Sequence, residues 1–238
     1  MEASLFDPQH SPALSVQEGY TVWAATYDER KIGNLMDYPL FERLQAVTWE
    51  QVETAADLAC GTGRTGAWLK EHGVRILDGV DLTEAMLTYA RARGIYRHLR
   101  LADLRQTLLS AHSYDLVSVG LADEHLPELL PLYQEAARLV RPQGLLVLLG
   151  YHPFFQISGV PTTFEQSTGE LVTIEGYVHL FSEHVQAASA CGWVLRELYE
   201  CLIDDEWIAR RPQAARRKGW PVSFVCLWQM QSEGTGQQ

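Results

Sequence analysis

From residue 54 to residue 150 the chain alternates short apolar runs with amphipathic stretches. Residues 54–59, 74–80, 96–102, 115–120 and 145–150 have the length and apolar content of strands, although 96–102 is only weakly apolar. Residues 65–72 repeat their apolar positions at helical spacing and stop at Gly73, a natural residue for the turn after a helix. A second helix runs from Thr83, an N-capping residue type, to Gly94. A third opens at Pro127 or, one turn later, at Pro131. It carries Leu132, Tyr133, Ala136, Ala137 and Val140 on its inner face until Arg141-Pro142-Gln143-Gly144 closes it. The run 145–150 is continuously apolar, as a strand covered on both faces should be. This alternation predicts an α/β fold with parallel strands and right-handed crossovers.

The flanks read differently. Residues 1–15, with Pro8 and Pro12 and no clear period, are expected to be a poorly ordered lead. Residues 19–27 carry Tyr20, Trp23 and Tyr27, and Pro39 can start a helix with Leu40, Phe41, Leu44 and Val47 on one face. Together they predict an N-terminal helical cap over residues 1–53, ahead of a 54–150 core. Beyond the core, 162–166 and 171–174 read as a hairpin, 182–191 as a helix ending at Gly192, and 193–203 and 222–229 as two last strands. Between those strands, 204–220 is a helix-like insertion holding Arg210, Arg211, Arg216, Arg217 and Lys218, read as a lid or cap element. The whole is expected to be a single domain, 1–238, with 151–230 on the acceptor side and 231–238 a loose tail.

Composition narrows the function classes. A formal net charge of −11 argues against phosphate-backbone binding as the main task, so no nucleic-acid partner is expected. No apolar run approaches membrane-spanning length, and a cytoplasmic location is expected. Cys60, Cys191, Cys201 and Cys226 form no C-x-x-C pair and read as small buried hydrophobes in a reducing compartment. No metal-ligand spacing is present, so no metal is expected.

The chemistry centres on Asp57-Leu58-Ala59-Cys60-Gly61-Thr62-Gly63-Arg64, which joins the first core strand to the first core helix. Two glycines let the backbone turn through positive φ and let a ligand approach the main chain, at a helix end that favours partial negative charge. Gly61-x-Gly63-x-x-Gly66, with Asp81 twenty residues after Gly61, also fits a dinucleotide fingerprint. Asp57 argues against that reading, because a carboxylate there repels a pyrophosphate and attracts an amino group.

These residues resemble the first motif of class I S-adenosylmethionine-dependent methyltransferases. Val80-Asp81-Leu82-Thr83-Glu84-Ala85-Met86-Leu87 is similar to their second, and Leu101-Ala102-Asp103-Leu104 to their third. Tyr114-Asp115-Leu116-Val117 and Leu139-Val140-Arg141-Pro142-Gln143-Gly144 are similar to the fourth strand and the turn before the fifth. The resemblance covers roughly residues 54 to 150 and is nearest to small-molecule enzymes of the ubiquinone and menaquinone biosynthesis group. It implies a Rossmann-like doubly wound, mostly parallel seven-stranded sheet with helices on both faces and insertions after the fifth and sixth strands.

It further implies S-adenosylmethionine as cofactor, with S-adenosylhomocysteine as product. Asp81 would grip the ribose hydroxyls, Asp103 and Leu104 would meet the adenine edge, and Leu82 and Met86 its faces. Asp57 would meet the methionine amino group, with room left by Gly61 and Gly63, and Ala59, Gly120, Leu121, Tyr20 and Tyr27 complete the cofactor set. His125, after the fourth strand, and His152, after the fifth, are the candidate general bases, both expected outside the nucleotide half. The acidic chain and aromatic cap point to a small organic acceptor. A non-catalytic cofactor-binding module and an NAD(P)-dependent oxidoreductase are the rival readings. Against the latter, the only Tyr-x-x-x-Lys spacing in the sequence, Tyr27 to Lys31, precedes the glycine turn.

Overall fold

The computed structural model describes residues 13–30, 33–160, 162–166 and 169–231. Most of the expected lead and tail, 1–12 and 232–238, therefore lies outside the described residues. Strand β1 (Ala13–Leu14) precedes helix α1 (Val16–Trp23), which Ser15 and Glu18 close with a reciprocal capping box. Two single-turn helices follow, α2 (Gly33–Met36) and α3 (Tyr38–Phe41). The helix expected from Pro39 is thus only one turn long. Leu40, Phe41, Leu44 and Val47 are nevertheless all buried, so packing rather than helical period places them.

The core then follows in order: β2 (Thr54–Leu58), α4 (Arg64–Glu71), β3 (Ile76–Asp81), α5 (Glu84–Arg93), β4 (His98–Leu101) and β5 (Tyr114–Gly120). Helix α6 (Leu130–Leu139) takes the later of its two expected starts, with Pro131 in its first turn, and leads into β6 (Val140–Tyr151). Then come α7 (Pro153–Ile157), the hairpin β7 (Thr163–Glu165) and β8 (Leu171–Ile174), α8 (Phe181–Ala190), β9 (Trp193–Leu202), α9 (Asp205–Arg210) and β10 (Pro221–Met230). The expected insertion is α9 plus a 3-10 turn, Pro212–Arg217.

Seven strands form one sheet in the order β4-β3-β2-β5-β6-β10-β9. The first five are mutually parallel; β10 runs antiparallel to both β6 and β9. Alternate residues of the central strands serve opposite faces. Val117, Leu146 and Leu148 pack with Leu132, Tyr133 and Ala136 of α6 and Ala188 of α8. Leu116, Val147 and Leu149 pack with Trp68 and Leu69 of α4 and with Leu40 and Phe41 of the N-terminal segment. The sheet is therefore covered on both sides.

In a second, three-stranded sheet, β1-β8-β7, the expected hairpin is joined by β1, which lies in the expected poorly ordered lead. It packs on α1 through Trp23, Phe164, Val172 and Ile174. The strand order reverses between β2 and β5, and the crevice beyond the ends of these strands is where open α/β sheets accept ligands.

Candidate active site

The glycine turn leaves β2 with Ala59, Gly61 and Gly63 at φ 54°, 54° and 85°. Gly63 caps α4 from the left-handed region, where glycine carries no Cβ penalty. Asp81, at the end of β3, pins the turn: one carboxylate oxygen accepts from Gly61 N at 2.8 Å and the other from Thr83 N at 2.9 Å. Burial raises its pKa.

Asp57 is engaged within the chain. Its carboxylate accepts from the Tyr96 hydroxyl at 2.7 Å and the Ser118 hydroxyl at 2.8 Å, and burial pushes it up to about 6. It lies under the turn and lines none of the described chambers. Tyr96 also explains the third glycine. A Cβ on Gly66 would overlap the Tyr96 hydroxyl and stand 2.6 Å from its Cζ, and one on Gly79 would stand 2.9 Å from the same ring. The dinucleotide-like spacing therefore makes room for a tyrosine. Nothing in the sequence pattern singled out Tyr96, which precedes a weakly apolar strand.

Two chambers open at the crevice. The larger, about 410 Å³, is lined by Tyr20, Tyr27, Ala59, Gly61, Asp81, Leu82, Met86, Asp103, Leu104, Gly120, Leu121 and His125. Of the expected cofactor residues, only Asp57 and Gly63 fall outside it. Asp103 also accepts from the backbone N, Nε and a terminal nitrogen of Arg105, and the side-chain hydrogen bonds lower its pKa. The smaller chamber, about 260 Å³, lies toward β6, α7 and α9. Trp23, Met36, Tyr151, Phe155 and Trp207 form its apolar wall, and Arg64, Arg211 and Arg217 its cationic one. Tyr27 and Leu121 line both chambers.

Residues 56–148 match the family described as a methyltransferase domain. The chain is 29% identical over 123 residues to a malonyl-[acyl-carrier protein] O-methyltransferase of Salmonella typhimurium, over 52% of this chain and 48% of that protein. It is 32% identical over 112 residues to a trans-aconitate 2-methyltransferase of Escherichia coli, over 46% and 44%. A solved S-adenosylmethionine-dependent methyltransferase from Mesorhizobium loti superposes with a TM-score of 0.63 at 22% identity, over 80% of this chain and 95% of that one. Residues 56–148 are thus similar to a methyltransferase domain, on a fold shared with a solved S-adenosylmethionine-dependent methyltransferase. It spans about half the length of the curated relatives it matches.

The two candidate bases sit in unlike places. The His125 ring lines the larger chamber; Nδ1 faces the Glu175 carbonyl at 2.7 Å and Nε2 faces the Tyr20 hydroxyl at 2.9 Å. The pair fixes a neutral ring that donates from Nδ1 and accepts at Nε2, and burial lowers its pKa accordingly. Glu124 beside it is also buried; it accepts from Thr162 and Gln156, and burial and then Asp123 hold its pKa well above the usual carboxylate range. His125 thus lines the same chamber as Asp81 and Asp103.

His152 lines neither chamber. Its Nδ1 accepts from Phe154 N at 3.1 Å, capping α7, and its Nε2 faces Glu200 at 2.9 Å. The pre-proline backbone at φ −63°, ψ 132° turns the ring toward β9. Two cysteines also depart from expectation: Cys60 and Cys226 are buried, but Cys191 and Cys201 are only half-buried.

Proposed function

We propose that this methyltransferase moves a methyl group from S-adenosylmethionine, held in the larger chamber, to a small organic acid held in the smaller one. The observation that carries the reading is the meeting of the two chambers at Tyr27 and Leu121. Bound there, S-adenosylmethionine would supply a methyl already activated by its sulfonium. The larger chamber fits such a ligand: Asp81 offers a buried carboxylate to ribose hydroxyls, Leu82 and Met86 offer apolar faces to a base, and Asp103 an acceptor to an amine. The acceptor class follows from the smaller chamber, whose aromatic wall suits a carbon skeleton and whose arginines suit a carboxylate. Two of the relatives carry names that also specify acids.

A carboxylic acid is ionised at neutral pH, so its oxygen needs no proton removed. Neither histidine lines the smaller chamber. The chain's task is then to hold acceptor and donor in line and to exclude water. Among the described residues no helix is long and apolar enough to cross a membrane.

The test is formation of S-adenosylhomocysteine with a panel of carboxylic acids, phenols and amines. Turnover confined to acids, with a rate nearly flat from about pH 6 to 9, is expected because acid acceptors are already ionised over that range. Cofactor binding without turnover on any acceptor would favour a non-catalytic module instead. A rate climbing about tenfold per pH unit through the histidine range would restore a histidine base.

A further inference from the structure

The insertion between β9 and β10 carries five cations, and the structure sorts them. Arg210 pairs with Glu206 at 2.6 Å, Lys218 pairs with Asp205 at 2.5 Å, and Arg216 is exposed. Arg211 and Arg217 are half-buried and line the smaller chamber. Arg217 makes no ion pair among the described residues; its guanidinium carbon stands 5.8 Å from the centre of the Trp220 ring. The other charges in that lining are already matched. Asp28 accepts from Thr62 at 2.7 Å and from Arg93 at 2.8 Å, and Arg64 donates to Asp37 at 2.7 Å. A half-buried cation with no counter-charge has lost part of its hydration, and an anion that arrives restores the balance. Arg217 lines the smaller chamber only, whereas Tyr27 and Leu121, where the two chambers meet, also line a hollow beside the glycine turn together with Arg64. A carboxylate held in an arginine fork has both oxygens engaged, so the oxygen that attacks a methyl group must belong to a second group.

We infer that the acceptor is a dicarboxylic acid, anchored through one carboxylate by Arg217, with Arg211 in the same chamber, and methylated on the other where Tyr27 and Leu121 stand. This rests on the acid reading above and deepens it. An oxygen of the unanchored carboxylate attacks the methyl carbon, the carbon–sulfur bond breaks with its electron pair going to sulfur, and no proton moves. The product is a monoester that keeps its anchoring carboxylate. Turned end for end, that monoester would set an uncharged ester against Arg217, so the second methylation is disfavoured.

Matched acceptor pairs test this: straight-chain dicarboxylic acids against their half-amides, which keep the length and lose one carboxylate, with S-adenosylhomocysteine formation as the readout. Each diacid that turns over should exceed its half-amide at least about tenfold in kcat/KM, mostly through KM, the scale of one charge-assisted hydrogen bond. Arg217→Gln should bring that ratio toward one, whereas Lys218→Gln, at the cation paired with Asp205, should leave it in place. Mass spectrometry should find the monoester as the product. A ratio near one in the unaltered protein, a ratio that Arg217→Gln leaves as it was, or diester accumulating as fast as monoester overturns the inference. The first of these needs no variant, so the test stays open if Arg217→Gln fails to fold, and with monoacids still turning over the acid reading survives it. If no acid turns over while phenols or amines do, the acid reading itself falls and takes the inference with it.

Discussion

Gly66→Ala is the substitution whose cost the structure defines most directly. Gly66 lies in the first turn of α4, where alanine would ordinarily stabilise a helix by up to about 1 kcal/mol. Here the new methyl would meet the Tyr96 ring, 2.6 Å from Cζ, and Leu77 Cδ2 at 2.9 Å. Both neighbours are packed: Leu77 is 1% exposed, and Tyr96 is held at its hydroxyl by Asp57. Overpacking of this kind costs about 1–3 kcal/mol. If the ring moves, the Tyr96–Asp57 hydrogen bond, to a carboxylate in a dry site, is lost as well, at about 1.5–3 kcal/mol. Subtracting the helix term leaves a destabilisation of about 1.5–5 kcal/mol, or roughly 3–20 °C in melting temperature for a domain of this size. Denaturant titration of Gly66→Ala, Tyr96→Phe and the double variant measures it, and the cycle isolates the contact. Removing the hydroxyl relieves the worst overlap, so Gly66→Ala should cost less on the Tyr96→Phe background. A cost below about 0.5 kcal/mol, or an equal cost on both backgrounds, would refute the account of Tyr96 as the reason for the third glycine.

Asp81→Ala should weaken S-adenosylhomocysteine by about 1.5–3 kcal/mol and also destabilise the fold, because the carboxylate holds the Gly61 and Thr83 amides as well as lining the chamber; calorimetry showing unchanged affinity removes it from the site. Stability should also depend on pH in an unusual sense. Burial lifts the folded-state pKa of Asp37 and Asp57 to about 6, above the ordinary 3.8, so their contribution is complete below about pH 4 and is lost as pH rises through 6. Urea melts from pH 4 to 7 should show this decline, on the order of 1–3 kcal/mol, reduced in Asp57→Asn; an Asp57→Asn curve parallel to the unaltered protein's would sink it.

The periodicity of residues 54–150 determined the alternating strands and helices of the core by itself. A strand buried on both faces needs a continuous apolar run and a helix needs one apolar stripe, and these demands are local enough to read from 116–120, 145–150 and the positions around Leu132. The chamber residues of the glycine turn, Asp81 and the Asp103 loop were legible for the same reason: strand ends lie at fixed places in such a sheet, and the residues just past them must face the crevice. The roles of Asp57, His125 and His152 were not, since each depends on a partner 39 to 105 residues away: Tyr96, Tyr20 and Glu200. Whether a carboxylate meets a ligand or a tyrosine turns on what fills the space beside it, and no spacing along the chain records that. The same holds for Asp37 and Arg64, 27 residues apart, whose meeting at the turn belongs to the tertiary packing of the N-terminal segment against α4.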